Sequence, residues 1–537
     1  MFNIVSYITT SVFFFVLISN AVFYLALFEE KSWNIKRIFI HLRETKKGRS
    51  LLIGGTVFIK WLAIALYFLT IFQSGLDGSY HIFVFIIYLV LFIRVIKSLL
   101  DKEFSVPNFS ITTILIFALT VSVEITLFIF APIDRFFWML ILDKILPIII
   151  LLFFILLSVF FDFSQDAVLN RAIDKISKYK KLLTIAVVGS YGRGSTKEFI
   201  SRILGLKYNV LTTHGSFNNS LDIATTINSQ LSQNKQIFIA EIDDYKKDDV
   251  TQICSLINPK IVVISGINEQ KLSIFGDMKK IIESKLEAIN SLGRDGIALF
   301  NANTDSAKEL YMKAKSKKFM LLVSEKNANA DILATNINVG KFSVSFDVLM
   351  FGKRYKLLNI RLLGHQSIEN LLPAIFIGVY AGIDFASIRR ELEKIRPLDG
   401  TMVPRKTAKG AVLIDDTYSA NINSVRRALS YMRLYKGKRI LVLEPLVELG
   451  KNSDKFHNDL GYEIGKSCGR VFLTNDNYFK SISKGIARSR GNCIGQVKRP
   501  GEIIRFIKNE CKNDDVVVFE GKETSKVISG ISSERIY

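Results

Sequence analysis

Leu183-Thr184-Ile185-Ala186-Val187-Val188 runs directly into Gly189-Ser190-Tyr191-Gly192-Arg193-Gly194-Ser195-Thr196-Lys197-Glu198, and an apolar helical start follows. A β-rich run, a glycine loop and a helix in that order bring backbone N–H groups to one spot at a helix N-terminus, where a phosphate is favoured. The strict P-loop spacing needs Gly, four residues and then Gly-Lys-[Ser/Thr]. Here Val187 stands at the first glycine position and Arg193 replaces Lys. On its own the loop reads equally as a structural turn.

Downstream of Leu182, short β-rich runs alternate with amphipathic stretches, the pattern of parallel sheets flanked by helices. Strands are expected at 183–188, 236–242, 259–265 and 296–301. A β-rich stretch at 331–363 reads as an antiparallel appendage, and a second series is expected at 410–416, 439–444, 470–475 and 515–520. Two α/β domains result, 182–399 and 400–537.

The chain upstream is of another kind. Five apolar runs near 8–28, 51–73, 80–98, 109–131 and 137–161 have the roughly 20 residues that span a bilayer as helix. The first has no basic head and no small-residue cleavage site, so it is expected to stay as an anchor. Basic residues fill the first inter-span stretch (Lys31, Lys36, Arg37, Arg43, Lys46, Lys47, Arg49) and the third (Arg94, Lys97, Lys102). The second has none and the fourth only Arg135. Basic residues stay on the cytoplasmic side, so the N-terminus is expected outside and everything after 161 in the cytoplasm of a multi-pass cell-membrane protein. Lys60, Glu124, Asp143 and Lys144 fall in or near the spans; they read as a function-bearing set or as pairs between helices.

The whole chain has 537 residues, 71 basic and 49 acidic, for a formal charge of +22. No basic cluster interleaved with stacking aromatics appears, so nucleic acid is not an expected partner. A linker at 162–181 carries Arg171, Lys175, Lys178, Lys180 and Lys181, which suits anionic membrane lipids or a solvated helix. The four cysteines are scattered without a CxxC pair, which excludes a disulfide framework and a zinc ribbon.

Further motifs follow the loop in fixed order: Thr212-Thr213-His214-Gly215-Ser216-Phe217-Asn218-Asn219, a strand ending Ala240-Glu241, Phe275-Gly276 with Ser284-Lys285-Leu286-Glu287, Gly364 to Asn370, and Asp415-Asp416-Thr417-Tyr418-Ser419-Ala420-Asn421. Together they resemble the Mur ligase family over residues 182–537, most nearly its members that add D-alanyl-D-alanine to the UDP-muramoyl tripeptide. The resemblance implies a central P-loop ATPase domain and a Rossmann-like C-terminal domain, with ATP and Mg2+ as cofactors. It implies an amide bond made through an acyl phosphate on a cell-envelope precursor, UDP- or lipid-linked, with an amino acid or dipeptide as the amine.

Carried over by position, Gly189, Ser190, Gly192, Arg193, Gly194, Ser195, Thr196 and Asn370 would meet ATP. Ser195, Glu241 and a carbamylated Lys285 would hold metal. Asn218, Asn219 and Tyr418 would meet substrate, and Lys285, Asp416 and Asn421 would serve catalysis. Glu448-Leu449-Gly450 with His457 resembles the family's next C-terminal signature. Departures gather around nucleotide and metal: Arg193 and Gly194 replace Lys and Ser/Thr, Lys271 stands for a metal-side His, Gln366-Ser367 for His-Asn, and Gly400-Thr401 for Gly-Arg. The small domain that grips the UDP-sugar is replaced by membrane spans. An alternative reading is therefore a degenerate, noncatalytic scaffold of the same architecture.

Overall fold

The computed structural model describes residues 2–31, 33–73, 78–100, 104–131, 134–215, 217–245, 248–315, 317–323 and 330–537. The chain divides into two compact units, residues 1–165 and 166–537.

Among the described residues of the first unit, five helical stretches are long and apolar enough to cross a membrane: Ser6–Glu30, Lys46–Leu69, Ser79–Leu100, Ile111–Ile129 and Arg135–Ser158. Their shared core gathers Phe13, Leu17, Leu25, Tyr88, Ile116, Met139 and Ile150. Phe13 meets the Tyr88 ring edge-on at 5.3 Å, and the Tyr88 hydroxyl donates to the Met139 carbonyl at 2.9 Å. The basic stretch after the first span is folded: Asn34 caps the helix Ile35–Glu44, and Thr45 caps a further helix, Lys46–Ile53. The second apolar span, expected near 51–73, is thus made of this short helix and the helix Gly55–Gln73 that follows it.

The last of these helices continues without a break to Ser177. Its end belongs to the second unit, where Ala172 is buried in the core and Asn228 Nδ2 donates to the Val168 carbonyl at 2.9 Å. Of the basic residues expected to meet lipid or solvent, Lys175 donates to the Asn228 carbonyl at 2.9 Å, while Arg171, Lys178, Lys180 and Lys181 are exposed.

The second unit holds two α/β domains. In the first, β1 (Leu183–Val188), β2 (Val210–Thr212), β3 (Ile237–Ile242), β4 (Ile261–Ile264), β5 (Ile297–Asn301), β6 (Lys317–Val323), β7 (Ile332–Val339), β8 (Val344–Met350) and β9 (Lys353–Ile360) form one sheet in the order 2-3-1-4-5-6-7-8-9. The strands from β1 to β7 pair in parallel, and β7-β8-β9 antiparallel. The expected appendage is therefore the edge of the same sheet, joined to it by parallel pairing of β6 and β7. Side chains alternate across β1: Ile185 and Val187 pack with Phe199, Ile203, Leu371 and Phe376 on one face, Ala186 and Val188 with Ile223, Ile253 and Ile282 on the other.

In the C-terminal domain β10 (Val403–Thr407), β11 (Val412–Asp416), β12 (Arg439–Leu443), β13 (Arg470–Leu473), β14 (Ile494–Val497), β15 (Val516–Glu520) and β16 (Ser533–Arg535) are ordered 14-13-12-15-11-10-16. Only β10 and β16 run antiparallel to their neighbours. The four expected strands at 410–416, 439–444, 470–475 and 515–520 are its parallel centre; β14 on one side and β10 with β16 on the other complete it.

Candidate functional site

From β1 the chain turns to β2 on one side, and from β3 to β4 on the other, so the carboxyl ends of β1, β3 and β4 open a crevice of the kind that binds ligands in parallel sheets. The loop Gly189–Gly194 lies there. Ser190 N–H donates to the Gly266 carbonyl at 2.7 Å and Ser265 Oγ to the Tyr191 carbonyl at 2.6 Å, which ties the loop to the end of β4. Gly192 has φ 76°, and a Cβ there would stand 2.5 Å from Asn370 Oδ1, so this position accepts only glycine. It precedes the twelve-residue helix Arg193–Leu204, whose N-terminus has no side-chain cap. Thr196 is buried one turn in, its hydroxyl 3.4 Å from Asn370 Oδ1. The expected ATP-binding residues are thus brought around one uncapped helix N-terminus, an arrangement suited to phosphate.

Beside it lies a buried charge cluster, of which sequence reasoning named only part. Glu241, Asp243 and Asp244 all leave the end of β3, and all three are buried. Arg193 turns back from the helix start: Nη1 donates to the Gly189 carbonyl at 2.8 Å and to Asp243, and Nε lies 3.6 Å from Glu241 Oε1. Lys197 Nζ lies 3.3 Å from Glu241 Oε2 and donates to the Thr213 and Gly215 carbonyls at 2.8 and 3.0 Å. Lys271 Nζ donates to Asp243 Oδ1 at 2.5 Å and to the Asp244 carbonyl at 2.8 Å, and sits 3.8 Å from the centre of the Tyr245 ring. Lys285, buried in the helix Met278–Asn290, pairs with Asp244, whose other oxygen accepts from Ser284.

At Asp243 and Asp244 burial disfavours the charge, and the neighbouring cations outweigh it. Against burial, Arg193 and Lys271 hold the Asp243 carboxyl far below the usual carboxylate range, and Lys285 and Lys271 hold Asp244 below it. Arg193 is likewise held above its ordinary value by Asp243 and Glu241. Lys271 stays below the ordinary lysine value because burial prevails over its acids.

The C-terminal domain closes on this crevice. Asn421 caps the helix Ile422–Met432 and accepts from Asn268 Nδ2 at 3.1 Å. Tyr418 is half exposed, and its hydroxyl is pushed up by burial and then by Glu241. Arg427, which nothing in the sequence singled out, donates to Glu369 Oε2 at 2.6 Å and stacks 4.8 Å from the Tyr191 ring, binding the phosphate-loop tyrosine to the second domain. Asp416 lies opposite Glu520 in the β11–β15 register. Burial raises both acids, Asp416 to about 6, so the pair holds a proton rather than two charges.

Asn218 and Asn219 have local duties. The Asn218 carbonyl accepts from Asp243 N–H at 3.0 Å, and Asn219 caps the helix Ser220–Gln230 through Asp222 N–H at 2.9 Å. His457 is buried: Nε2 accepts from Leu446 N–H at 3.1 Å and Nδ1 donates to the Ser453 carbonyl at 2.7 Å, so it shapes the segment after β12.

The crevice fits a nucleotide's phosphates: an uncapped helix N-terminus and four cations face three carboxylates. The donor set does not fit the expected magnesium at Ser195, Glu241 and Lys285. Glu241 already faces Arg193 and Lys197, and Lys285 is paired with Asp244. Among the described residues no group of three or more His, Cys, Asp or Glu side chains is arranged to hold a metal ion.

The family profile described as Mur ligase middle domain matches residues 187–378, and that described as Mur ligase, glutamate ligase domain matches residues 402–523. The chain is 27% identical over 285 residues to the UDP-N-acetylmuramoyl-tripeptide–D-alanyl-D-alanine ligase of Escherichia coli (strain K12), covering 53% of this chain and 62% of that one. To the enzyme of the same name from Bacillus subtilis (strain 168) it is 25% identical over 347 residues, 64% of this chain and 74% of that one. The chain thus spans under two thirds of the first relative's length. Among solved structures, MurF from Acinetobacter baumannii superposes with a TM-score of 0.62 at 21% identity, over 68% of this chain and 80% of that one. MurF from Thermotoga maritima in complex with ADP gives 0.59 at 21%, over 68% and 83%.

Proposed function

The chain belongs to the Mur ligase family through its middle and C-terminal domains, and from that premise we propose that it is a membrane-anchored ligase forming an amide bond on a cell-envelope precursor at the expense of ATP. The observation that carries the reading is the meeting of the uncapped glycine-loop helix with the 415–421 loop of the second domain, bridged by Asn268–Asn421 and Arg427–Glu369. Two domains that share a phosphate site can close over reactants and shut out water.

In the proposed reaction a substrate carboxylate oxygen takes the γ-phosphoryl group, releasing ADP. An amine then attacks the acyl carbon, expels inorganic phosphate and loses a proton. The first-turn amides after Gly192 hold the phosphates, Thr196 and Asn370 fix the loop, and Arg193 and Lys271 set the positive potential in which charge develops. Tyr418 is placed to meet the incoming substrate. The carboxylate donor is a UDP- or lipid-linked precursor and the amine an amino acid or dipeptide. The family generally uses ATP and Mg2+, and ATP is the cofactor proposed here; no step is assigned to the metal.

The limits proposed are a membrane region at 1–161, a basic linker at 162–181, and domains at 182–399 and 400–537. The N-terminus is proposed outside and the catalytic half in the cytoplasm. Cysteines introduced at Ser79 and Ser98 test this: an impermeant reagent on intact cells should label the first and not the second.

A second reading, a noncatalytic scaffold, draws on one observation, that Arg193 is tied to Asp243 and Gly189. The full-length protein in detergent, given ATP with a panel of muropeptide precursors and amines, decides between the two. Phosphate release that requires both co-substrates supports the ligase; ATP binding without release supports the scaffold.

A further inference from the structure

The charge cluster at the end of β3 holds more cations than anions. Glu241, Asp243 and Asp244 face Arg193, Lys197, Lys271 and Lys285, and every one of these side chains is at most 14% exposed. With all seven ionised the cluster stands at a net charge of +1. A divalent ion lodged among them would bring it to +3 in a buried place, unless a cation left.

The cations are also held in place by contacts other than their carboxylates. Lys271 adopts φ 69°, which is uncommon for a residue with a Cβ, at the start of Leu272–Phe275. Its ammonium is pinned by the Asp244 carbonyl as well as by the Tyr245 ring face. Arg193 is pinned by the Gly189 carbonyl, and Lys197 by two carbonyls across the crevice. Lys285 cannot become a carbamate beside Asp244 without turning an attractive pair into two adjacent anions.

We propose that this chain carries the positive charge of its nucleotide site on fixed side chains, with Lys271 and Arg193 on Asp243 and an unmodified Lys285 on Asp244, in place of a divalent cation bound by the protein. The inference rests on the reading of the crevice as a nucleotide site. It gives the departure at Lys271 a purpose, since a cation stands at the acids that leave β3 where the family has a histidine, while Arg193 keeps the charge of the lysine it replaces and ties it to Asp243. Any magnesium in the reaction then comes in on the nucleotide and is held by its phosphates.

The test counts metal with Mn2+ as the probe, by electron paramagnetic resonance on the full-length protein in detergent. Without nucleotide the wild type should bind no Mn2+ at millimolar concentration. Lys271→Ala and Lys271→Gln, which leave Asp243 and Asp244 short of a cation, should each bind Mn2+ at least roughly tenfold tighter. With ATP present, at most one Mn2+ per chain is expected. Carbon-13-labelled bicarbonate should give no carbamate resonance that Lys285→Gln removes. A Mn2+ bound by the nucleotide-free wild type, a second Mn2+ in the presence of ATP, or a carbamate at Lys285 would each overturn the proposal. Failure of the nucleotide reading is separately visible, as absence of ATP binding by calorimetry, and leaves the nucleotide-free count able to decide.

Discussion

The two units bury ionisable groups by different means. At the end of β3 each carboxylate has at least one protein cation within 3.6 Å, and Arg193, Lys197 and Lys271 are further tied to backbone carbonyls. In the helical unit the most deeply buried pair among the described residues is Lys60 with Asp143, which also accepts from Asn20 Nδ2 at 3.0 Å. Glu124 is buried there with neither oxygen hydrogen-bonded. A surplus of cations makes a site that receives an anion; a single closed pair makes a link between helices. The difference teaches that buried charge marks function here by its imbalance rather than by its presence.

The largest effect should come from breaking the soluble cluster on one side only. Lys285→Met takes the paired cation from Asp244, 1% exposed, and leaves it Ser284 and, at 4.0 Å, Lys271; removing one partner of a buried pair costs about 3 to 5 kcal/mol. Adding Asp244→Asn should restore much of the loss, as read from thermal midpoints of the two single variants and the double. If the double variant is as unstable as Lys285→Met, the pair is not what supports this corner of the sheet.

Asp143→Ala should come next, leaving Lys60 unpaired between apolar helices, at a cost of about 3 kcal/mol. The companion variant Lys60→Met/Asp143→Leu should recover it. A wild-type-like midpoint for Asp143→Ala would mean that Lys60 reaches water, and the contrast between the units would weaken.

A third means of burial is neutrality, and His457 shows it. Burial lowers its pKa to about 4 despite the Ser453 carbonyl. Between that value and the ordinary one near 6.5 the unfolded chain takes up a proton that the folded chain refuses. Stability from this residue is therefore complete above about pH 6.5 and is lost as pH falls toward 4, by about 3 kcal/mol. Asp416, raised to about 6, acts in the opposite sense over its own range, so the comparison is made against a variant. His457→Asn should flatten this part of the acid limb in melting curves taken from pH 4 to 7; an unchanged slope would show that another group carries it.

How much of this could be read in advance follows from the range of the interactions. The β1 run, its glycine loop and the central strands of both sheets were legible because buried parallel strands are short continuous apolar runs. Val210–Thr212, Val403–Thr407, Ile494–Val497 and Ser533–Arg535 were not, since strands of three to five residues at or next to a sheet edge carry polar side chains or proline and show no run. In the site, Arg193, Glu241, Lys271 and Lys285 could be found from their order along the chain. Lys197 could not, because on a helix it reads as solvated until β2 brings the Thr213 carbonyl over it. Asp243 and Asp244 did leave a signal, three acids in four residues at a strand end, which the strand reading stopped short of using. Arg427 left none: its partners Glu369 and Tyr191 lie 58 and more residues away, and only the docking of two domains joins them.

The smallest effect, and the finest cut between the two units, belongs to Glu124. Both its oxygens lack a hydrogen-bond partner, and Thr120 one turn earlier has a buried hydroxyl in the same condition. An acceptor without a donor costs free energy, whereas an apolar side chain of similar shape in its place is neutral or favourable. Glu124→Leu should therefore leave the thermal midpoint of the full-length protein unchanged or raise it, by about 1 kcal/mol at most. Asp143→Ala, a few ångströms of side chain shorter but at a paired site, should lower it. If Glu124→Leu falls as far as Asp143→Ala, then Glu124 is held by a cation after all, and the helical unit would share with the soluble one a network of compensated charge rather than a single pair.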